Sequence, residues 1–177
     1  MILLLLHYRS TVLTKKLSIQ KKDRMTELKE GDSAPEFKGV IENGTEVSLS
    51  NYSGKKLVLY FYPKDSTPGC TAQACNLTEN QKSLKDAGFE VLGVSADTVK
   101  KHQNFISKYN IGFSLIADEE KEVIKAYQVW GPKKFMGKEY EGIHRTTFII
   151  SEEGKIEKIF KKVKTKDHTN QILESYK

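Results

Sequence analysis

The run Leu57-Val58-Leu59-Tyr60-Phe61-Tyr62 most constrains how this chain can fold. Its six apolar or aromatic side chains leave no polar face, and successive residues of a strand point to opposite sides of a sheet. Such a strand needs cover on both faces, so it belongs at the centre of a sheet with layers above and below. Pro63 ends it, since proline cannot donate to a ladder.

The rest of the chain supplies the layers. Phe89-Glu90-Val91-Leu92-Gly93-Val94-Ser95 reads as a second buried strand. Between the two, Thr71 to Asp86 reads as one helix, stopped by Gly88. A helix over Thr98 to Tyr109 turns Val99, Phe105, Ile106 and Tyr109 inward. Phe113 to Ala117 is a short strand, and Asp118 can cap a helix over Glu119 to Tyr127. Arg145 to Ile150 and Lys155 to Phe160 form an antiparallel hairpin about Ser151-Glu152-Glu153-Gly154, and Asp167 to Tyr176 closes the chain as a helix. Upstream, Glu42-Asn43-Gly44-Thr45 between Phe37–Ile41 and Val47–Leu49 marks a further hairpin. This order predicts an α/β fold, a mixed sheet with helices on both faces and an N-terminal β-hairpin addition.

The length of 177 residues suits a single domain. The formal net charge of +6 is mostly local. Residues 1–24 carry Arg9, Lys15, Lys16, Lys21, Lys22 and Arg24 against Asp23, a net +5, which leaves +1 for the rest. A nearly neutral body gives no reason to expect nucleic acid as a partner. No apolar run is long enough to span a bilayer. Met1-Ile2-Leu3-Leu4-Leu5-Leu6 lacks the charged start and cleavage site of a signal peptide. Residues 1–24 therefore read as a disordered extension or a product of an upstream start, with a weak likeness to a transit peptide. Met25-Thr26-Glu27-Leu28 reads as the natural opening of a domain over 25–177.

Two cysteines, Cys70 and Cys75, lie five positions apart in Pro63-Lys64-Asp65-Ser66-Thr67-Pro68-Gly69-Cys70-Thr71-Ala72-Gln73-Ala74-Cys75. A close pair in an otherwise cysteine-free chain fits a reducing compartment and a redox or metal role. Metal is the weaker option, because a structural zinc needs four ligands and His7, His102, His144 and His168 are scattered. Cys70 falls where the exit of the central strand enters a helix, the usual place for a site in an open α/β sheet. Orphan N–H groups and the helix dipole there push a thiol toward the reactive thiolate. Pro68 and Gly69 shape the approach, and Thr67 offers a hydroxyl. Arg145 is the only arginine after Arg24. It suits a partly buried anionic site, and equally a surface position at the start of a strand.

These residues resemble the peroxiredoxins, most closely the bacterioferritin comigratory protein type, also called peroxiredoxin Q. The signature P-x-x-x-T-x-x-C is met by Pro63, Thr67 and Cys70, and the C-x-x-x-x-C spacing of Cys70 and Cys75 marks the subgroup. Gly31-Asp32-Ser33-Ala34-Pro35-Glu36-Phe37, Gly93-Val94-Ser95 and Arg145-Thr146-Thr147-Phe148-Ile149-Ile150 also match, so the likeness runs from about residue 29 to the C-terminus. The resemblance implies a thioredoxin-like fold and a thiol-dependent peroxidase acting on hydrogen peroxide and organic hydroperoxides. It implies that Cys70 attacks the peroxide and becomes a sulfenic acid, with Thr67, Gly69 and Arg145 orienting and polarising the substrate and Pro63 shielding the site. Cys75 would resolve the sulfenic acid as a disulfide, and thioredoxin or a similar dithiol would reduce it. It implies a cytoplasmic monomer that needs no metal, flavin or haem.

Geometry adds one expectation. Five helical residues give about 7.5 Å of rise and about 140° of rotation, placing the two Cα atoms roughly 8–9 Å apart. A disulfide needs less than roughly 7 Å, so a helix holding both cysteines must unwind locally, over Thr71–Thr78, before they bond. Two rival functions are a thiol–disulfide oxidoreductase and a redox-switched binding module without turnover. Of the remaining residues, Gln73 fits either a support for Arg145 or an exposed helix position. Trp130 reads as a core or edge anchor, His144 as structural or exposed, and Lys133-Lys134 and Lys161-Lys162 as solvated ends.

Overall fold

The computed structural model describes residues 26–177, so the reading of residues 1–24 lies outside the described residues. The central sheet has five strands, in the order β5 (Ser114–Ala117), β4 (Phe89–Ser95), β3 (Lys56–Phe61), β8 (Thr146–Ile150) and β9 (Ile156–Phe160). β3 runs parallel to β4, and β4 to β5, while β8 and β9 are antiparallel to their neighbours. β3 is central, as its unbroken apolar run requires, and Leu57 to Tyr62 are all fully buried.

The alternation of β3 divides the core. Leu57, Leu59 and Phe61 pack with Leu92, Val94 and Phe148 against Phe37, Ile41 and α4 (Glu122–Ala126). Val58, Tyr60 and Tyr62 pack against α1 (Pro68–Glu79), α2 (Gln81–Asp86), α3 (Val99–Tyr109) and α5 (His168–Glu174), which contribute Cys70, Ala74, Leu77, Leu84, Phe105 and Ile172. Gly93 leaves room for the side chains of its two cross-strand neighbours, because a Cβ there would stand 2.5 Å from a Leu115 methyl and 2.9 Å from the Tyr60 ring. The N-terminal hairpin pairs β1 (Lys38–Val40) with β2 (Glu46–Ser48). Among the described residues, no helix is long and apolar enough to cross a membrane.

Four local expectations need correction. The single helix expected over 71–86 is two helices that begin at Pro68 and break at Asn80. The Asn80 side-chain amide donates to the Asn76 carbonyl at 2.8 Å, competing for an acceptor the helix would otherwise use. The helix expected from Glu119 begins at Glu122, after a turn with Lys121 at φ +62°. Asp118 still serves it, its carboxylate accepting from the amides of Glu122 and Ile124. The inward face of α3 includes the fully buried His102 beside Phe105, whereas Val99 is only partly buried. A second exposed hairpin was not anticipated: β6 (Trp130–Phe135) pairs with β7 (Lys138–Ile143). It turns at Met136-Gly137 with φ of +49° and +80°, which carries none of the Asn-Gly or Asp-Gly signal such turns favour.

Candidate active site

The strand register sets the geometry. Phe61, the last residue of β3, lies opposite Thr146, the first of β8. The chain leaving β3 through Tyr62 and Pro63 therefore passes beside Arg145. After Ser66, at φ +58°, Thr67 becomes the N-cap of α1 with Pro68 next to it, where a missing N–H costs nothing. The first helical bond runs from Thr71 N to the Thr67 carbonyl at 2.8 Å, which leaves the Gly69 and Cys70 amides ahead of the ladder. The Thr67 hydroxyl donates to the Lys64 carbonyl at 3.0 Å, so its oxygen lone pairs remain able to accept.

Cys70, Ala74 and Leu77 form the inward stripe of α1, at the one-turn spacing a helix requires. Cys70 is 1% exposed. One guanidinium nitrogen of Arg145, Nη2, lies 3.1 Å from Cys70 Sγ, and the other, Nη1, donates to Gln73 Oε1 at 2.6 Å. Gln73 is fully buried, which decides between its two sequence readings in favour of supporting Arg145. Gly69 leaves the guanidinium uncrowded, since a Cβ there would sit 3.4 Å from Arg145 Nη2. Pro63 is partly buried, and Pro68 is exposed.

Cys75 falls off the inward stripe and is partly exposed, and both thiols are free. Burial, and then the Glu79 carboxylate one turn on, push the Cys75 thiol pKa up. Tyr60 lies beneath the site. Burial first, and then charge on Cys70, raise its hydroxyl well above the ordinary range. Tyr60 Oη, Thr71 Oγ1 and Gln73 Nε2 are buried and make no hydrogen bond among the described residues. Two of the three belong to the Cys70 end of α1. A cavity of about 220 Å³, lined by Leu49, Tyr52, Leu57 and Glu152, lies at the opposite end of β3 and includes none of these groups.

A support that no sequence motif marks lies beneath the turn. Asp65 is buried, with its carboxylate accepting from Tyr62 Oη at 2.7 Å and meeting His102 Nδ1 at 2.8 Å. His102 Nε2 faces the Ile116 carbonyl at 3.0 Å. A carbonyl only accepts, so Nε2 carries a proton and the Nδ1–Asp65 contact needs another between its two atoms. The Asp65 amide donates to Asp97 at 2.8 Å. Burial opposes ionisation of Asp97, but this amide, Lys101 and Ser95 outweigh it and hold its pKa below the usual value. The available signal was a histidine three positions before Phe105 on an apolar helix face.

The unanticipated hairpin also reaches the site. Lys133 is half-buried, not solvated, and donates to the Ile143 carbonyl at 3.0 Å. Burial, and then the Arg145 charge, lower its pKa. His144 is partly buried and its pKa is lowered, by burial and then by Lys133. Trp130 packs against the core beside α4, as an anchor.

A strand–turn–helix thus places a buried cysteine under an arginine. The AhpC/TSA family model matches residues 31–159. The chain belongs to that family. Peroxiredoxin Bcp of Escherichia coli (strain K12) is 46% identical to it over 149 residues, covering 84% of this chain and 96% of the relative. A solved structure of peroxiredoxin Q from Xanthomonas campestris superposes with a TM-score of 0.76 at 35% identity, covering 86% of this chain and 98% of the other. A structure of the bacterioferritin comigratory protein from the same organism, studied for alkyl peroxide reduction, gives 0.73 at 37% identity, covering 78% and 88%. The fold is thus the thioredoxin-like fold of peroxiredoxins. As a peroxiredoxin, the chain is a thiol peroxidase, an oxidoreductase that consumes a hydroperoxide and a reductant.

Proposed function

We propose that Cys70 is the peroxidatic nucleophile of this peroxiredoxin, and that Cys75 resolves it. The 3.1 Å contact between the Arg145 guanidinium and Cys70 Sγ carries the reading. A fixed cation there pairs with a thiolate and can stabilise charge on the oxygen that leaves, as an oxyanion hole does. The thiolate attacks one oxygen of the hydroperoxide, the O–O bond breaks, and the other oxygen leaves as water or an alcohol after taking a proton. Gly69 and Cys70 amides offer donors to the substrate, and the Thr67 oxygen accepts its hydroxyl proton. Pro63 and Pro68 exclude water and shape the mouth.

Cys70 then carries a sulfenic acid, which the Cys75 thiol converts to a disulfide with loss of water. Both cysteines lie on α1, and five residues of helix hold their Cα atoms roughly 8–9 Å apart. The step therefore requires the first turns of α1 to unwind. The raised thiol pKa of Cys75 fits a group that waits as a thiol while Cys70 reacts. Thioredoxin or a similar dithiol reduces the disulfide. The enzyme works as one domain from Met25 onward, as a monomer, in the cytoplasm, where two free thiols persist, and on hydrogen peroxide and organic hydroperoxides alike.

A coupled assay with thioredoxin, thioredoxin reductase and NADPH tests this. Sustained NADPH oxidation on adding hydrogen peroxide is expected, abolished in Cys70→Ser. Cys75→Ser should consume one equivalent of peroxide and then stall with this reductant. Undiminished turnover in Cys70→Ser would overturn the assignment, and absence of turnover in the parent would favour a redox-switched binding module.

A further inference from the structure

The residue after the proposed resolving cysteine is tied to another helix. Asn76 Oδ1 accepts from the Thr169 amide at 2.8 Å, and its Nδ2 donates to the Lys166 carbonyl at 3.2 Å. The Thr169 hydroxyl donates to the Asn76 carbonyl at 3.3 Å. These bonds bridge 90 to 93 positions of sequence, from the middle of α1 to the start of α5.

The anchor they reach is rigid. Thr169 is 2% exposed and Ile172 is fully buried. Gln171 Oε1 accepts from the Lys164 amide and meets His168 Nδ1, each at 2.9 Å, and its Nε2 donates to the Lys162 carbonyl. An amide oxygen only accepts, so His168 Nδ1 carries the proton and Nε2 accepts from the Thr147 hydroxyl at 2.9 Å. Thr147 lies on β8, two residues from Arg145. The loop before α5 is thus fastened to the central sheet, and Asn76 fastens α1 to the loop.

We propose that Asn76 is a latch, a positioning residue that holds the Cys75 turn of α1 helical and so slows formation of the Cys70–Cys75 bond. This rests on the reading of Cys75 as the resolving thiol. In the latched form Cys75 cannot reach Cys70. Unwinding releases the Asn76 side chain from Thr169 and Lys166, the S–S bond forms, the S–O bond of the sulfenic acid breaks, and the Cys75 proton leaves with that oxygen as water. While the latch holds, the sulfenic acid faces a second outcome. A further hydroperoxide can pass one oxygen to the same sulfur, oxidising it by two electrons to sulfinic acid while the peroxide is reduced to water or an alcohol. Asn76 therefore sets the partition between recycling and overoxidation without touching either reacting sulfur.

The test is single turnover with hydrogen peroxide, quenched at intervals and read by mass spectrometry, in the parent and in Asn76→Ala. Loss of two side-chain hydrogen bonds should speed disulfide formation by on the order of tenfold. The rate of Cys70 oxidation should stay within about twofold of the parent, and the sulfinic fraction at excess peroxide should fall in proportion to the faster resolution. Asn76→Asp keeps the acceptor for Thr169 but turns a second oxygen toward the Lys166 carbonyl, so it should fall between the two. Hydrogen exchange should speed up in α1 amides but not in β3, which separates a released latch from general unfolding. An unchanged or slower disulfide step in Asn76→Ala, with the parent forming the 70–75 bond, overturns the latch alone. A parent that never forms that bond overturns the resolving role and the latch together.

Discussion

Cys70, in the first turn of α1, is buried and meets the Arg145 guanidinium, whereas Cys75, further along the same helix, is partly exposed and neighbours Glu79. The five-residue spacing puts the first on the stripe facing the sheet and the second off it. One helix thus presents two thiols of opposite character, a sulfur beside a cation and a thiol made a weaker acid by its surroundings. The same contrast holds for what fastens each end. The Cys70 end is gripped by Arg145, the residue that leads into β8, through Cys70 and Gln73. The Cys75 end is gripped by the loop before α5 through Asn76. Attack on peroxide needs the first grip kept, and resolution needs the second released.

The sharpest way to break this contrast is to remove the cation. Arg145→Ala should lower the second-order rate constant for Cys70 oxidation by on the order of a hundred- to a thousandfold, the cost of losing a donor aimed at developing charge. Arg145→Lys should recover part of that, since one ammonium cannot hold both Cys70 Sγ and Gln73 Oε1 in a fixed fork. Stopped-flow mixing with peroxide measures both. Equal rates in parent and Arg145→Ala would erase the distinction between the two thiols.

A smaller effect comes from freeing the cation without removing it. Gln73→Ala should reduce the same rate constant by about tenfold, in the manner of a lost supporting ligand. Stability should fall as well, by about 1–3 kcal/mol, because the change empties a buried position and leaves an Arg145 N–H without its acceptor. A thermal melt beside the kinetic measurement separates the two effects.

The anchor of the Cys75 end is testable by pH. Burial lowers the His168 pKa from 6.5 to about 4. The folded protein thus prefers neutral imidazole, while the unfolded chain takes up a proton below about 6.5. Stability should be intact above pH 6.5, fall as pH drops toward 4, and level off below. The loss is about 3 kcal/mol from this group. Urea unfolding at a series of pH values measures it, and His168→Gln should flatten the slope over that interval. Hydrogen exchange at pH 5 should show the loop before α5 loosening ahead of β3.

The parts of the fold and site that could be read from the chain alone were those with local causes. Leu57–Tyr62 announced a central strand because no other element hides both faces of such a run. Asn43-Gly44 announced a hairpin because its backbone preference is local. Pro68, Gly69 and Cys70 announced a helix mouth for the same reason. The features that escaped are set by contacts between distant segments. The Met136-Gly137 turn has one glycine and no other turn-forming residue, and Pro132 argues against a strand. The break at Asn80 depends on a side chain competing for one carbonyl. The ambiguity over Gln73 and Arg145 could not be settled until register placed Phe61 against Thr146 and brought the arginine over α1. His102 looked like an isolated histidine until α3 delivered it to Asp65. Lys133 looked solvated because the hairpin that turns it inward was itself not anticipated.

The most direct test is mass spectrometry after one equivalent of hydrogen peroxide, in the parent, Cys75→Ser and Cys70→Ser. The parent should carry a 70–75 linkage, Cys75→Ser a sulfenic acid at position 70, and Cys70→Ser an essentially unmodified Cys75. Oxidation of Cys75 in Cys70→Ser as fast as oxidation of Cys70 in Cys75→Ser would contradict the account, because the guanidinium would then confer no preference between the two sulfurs.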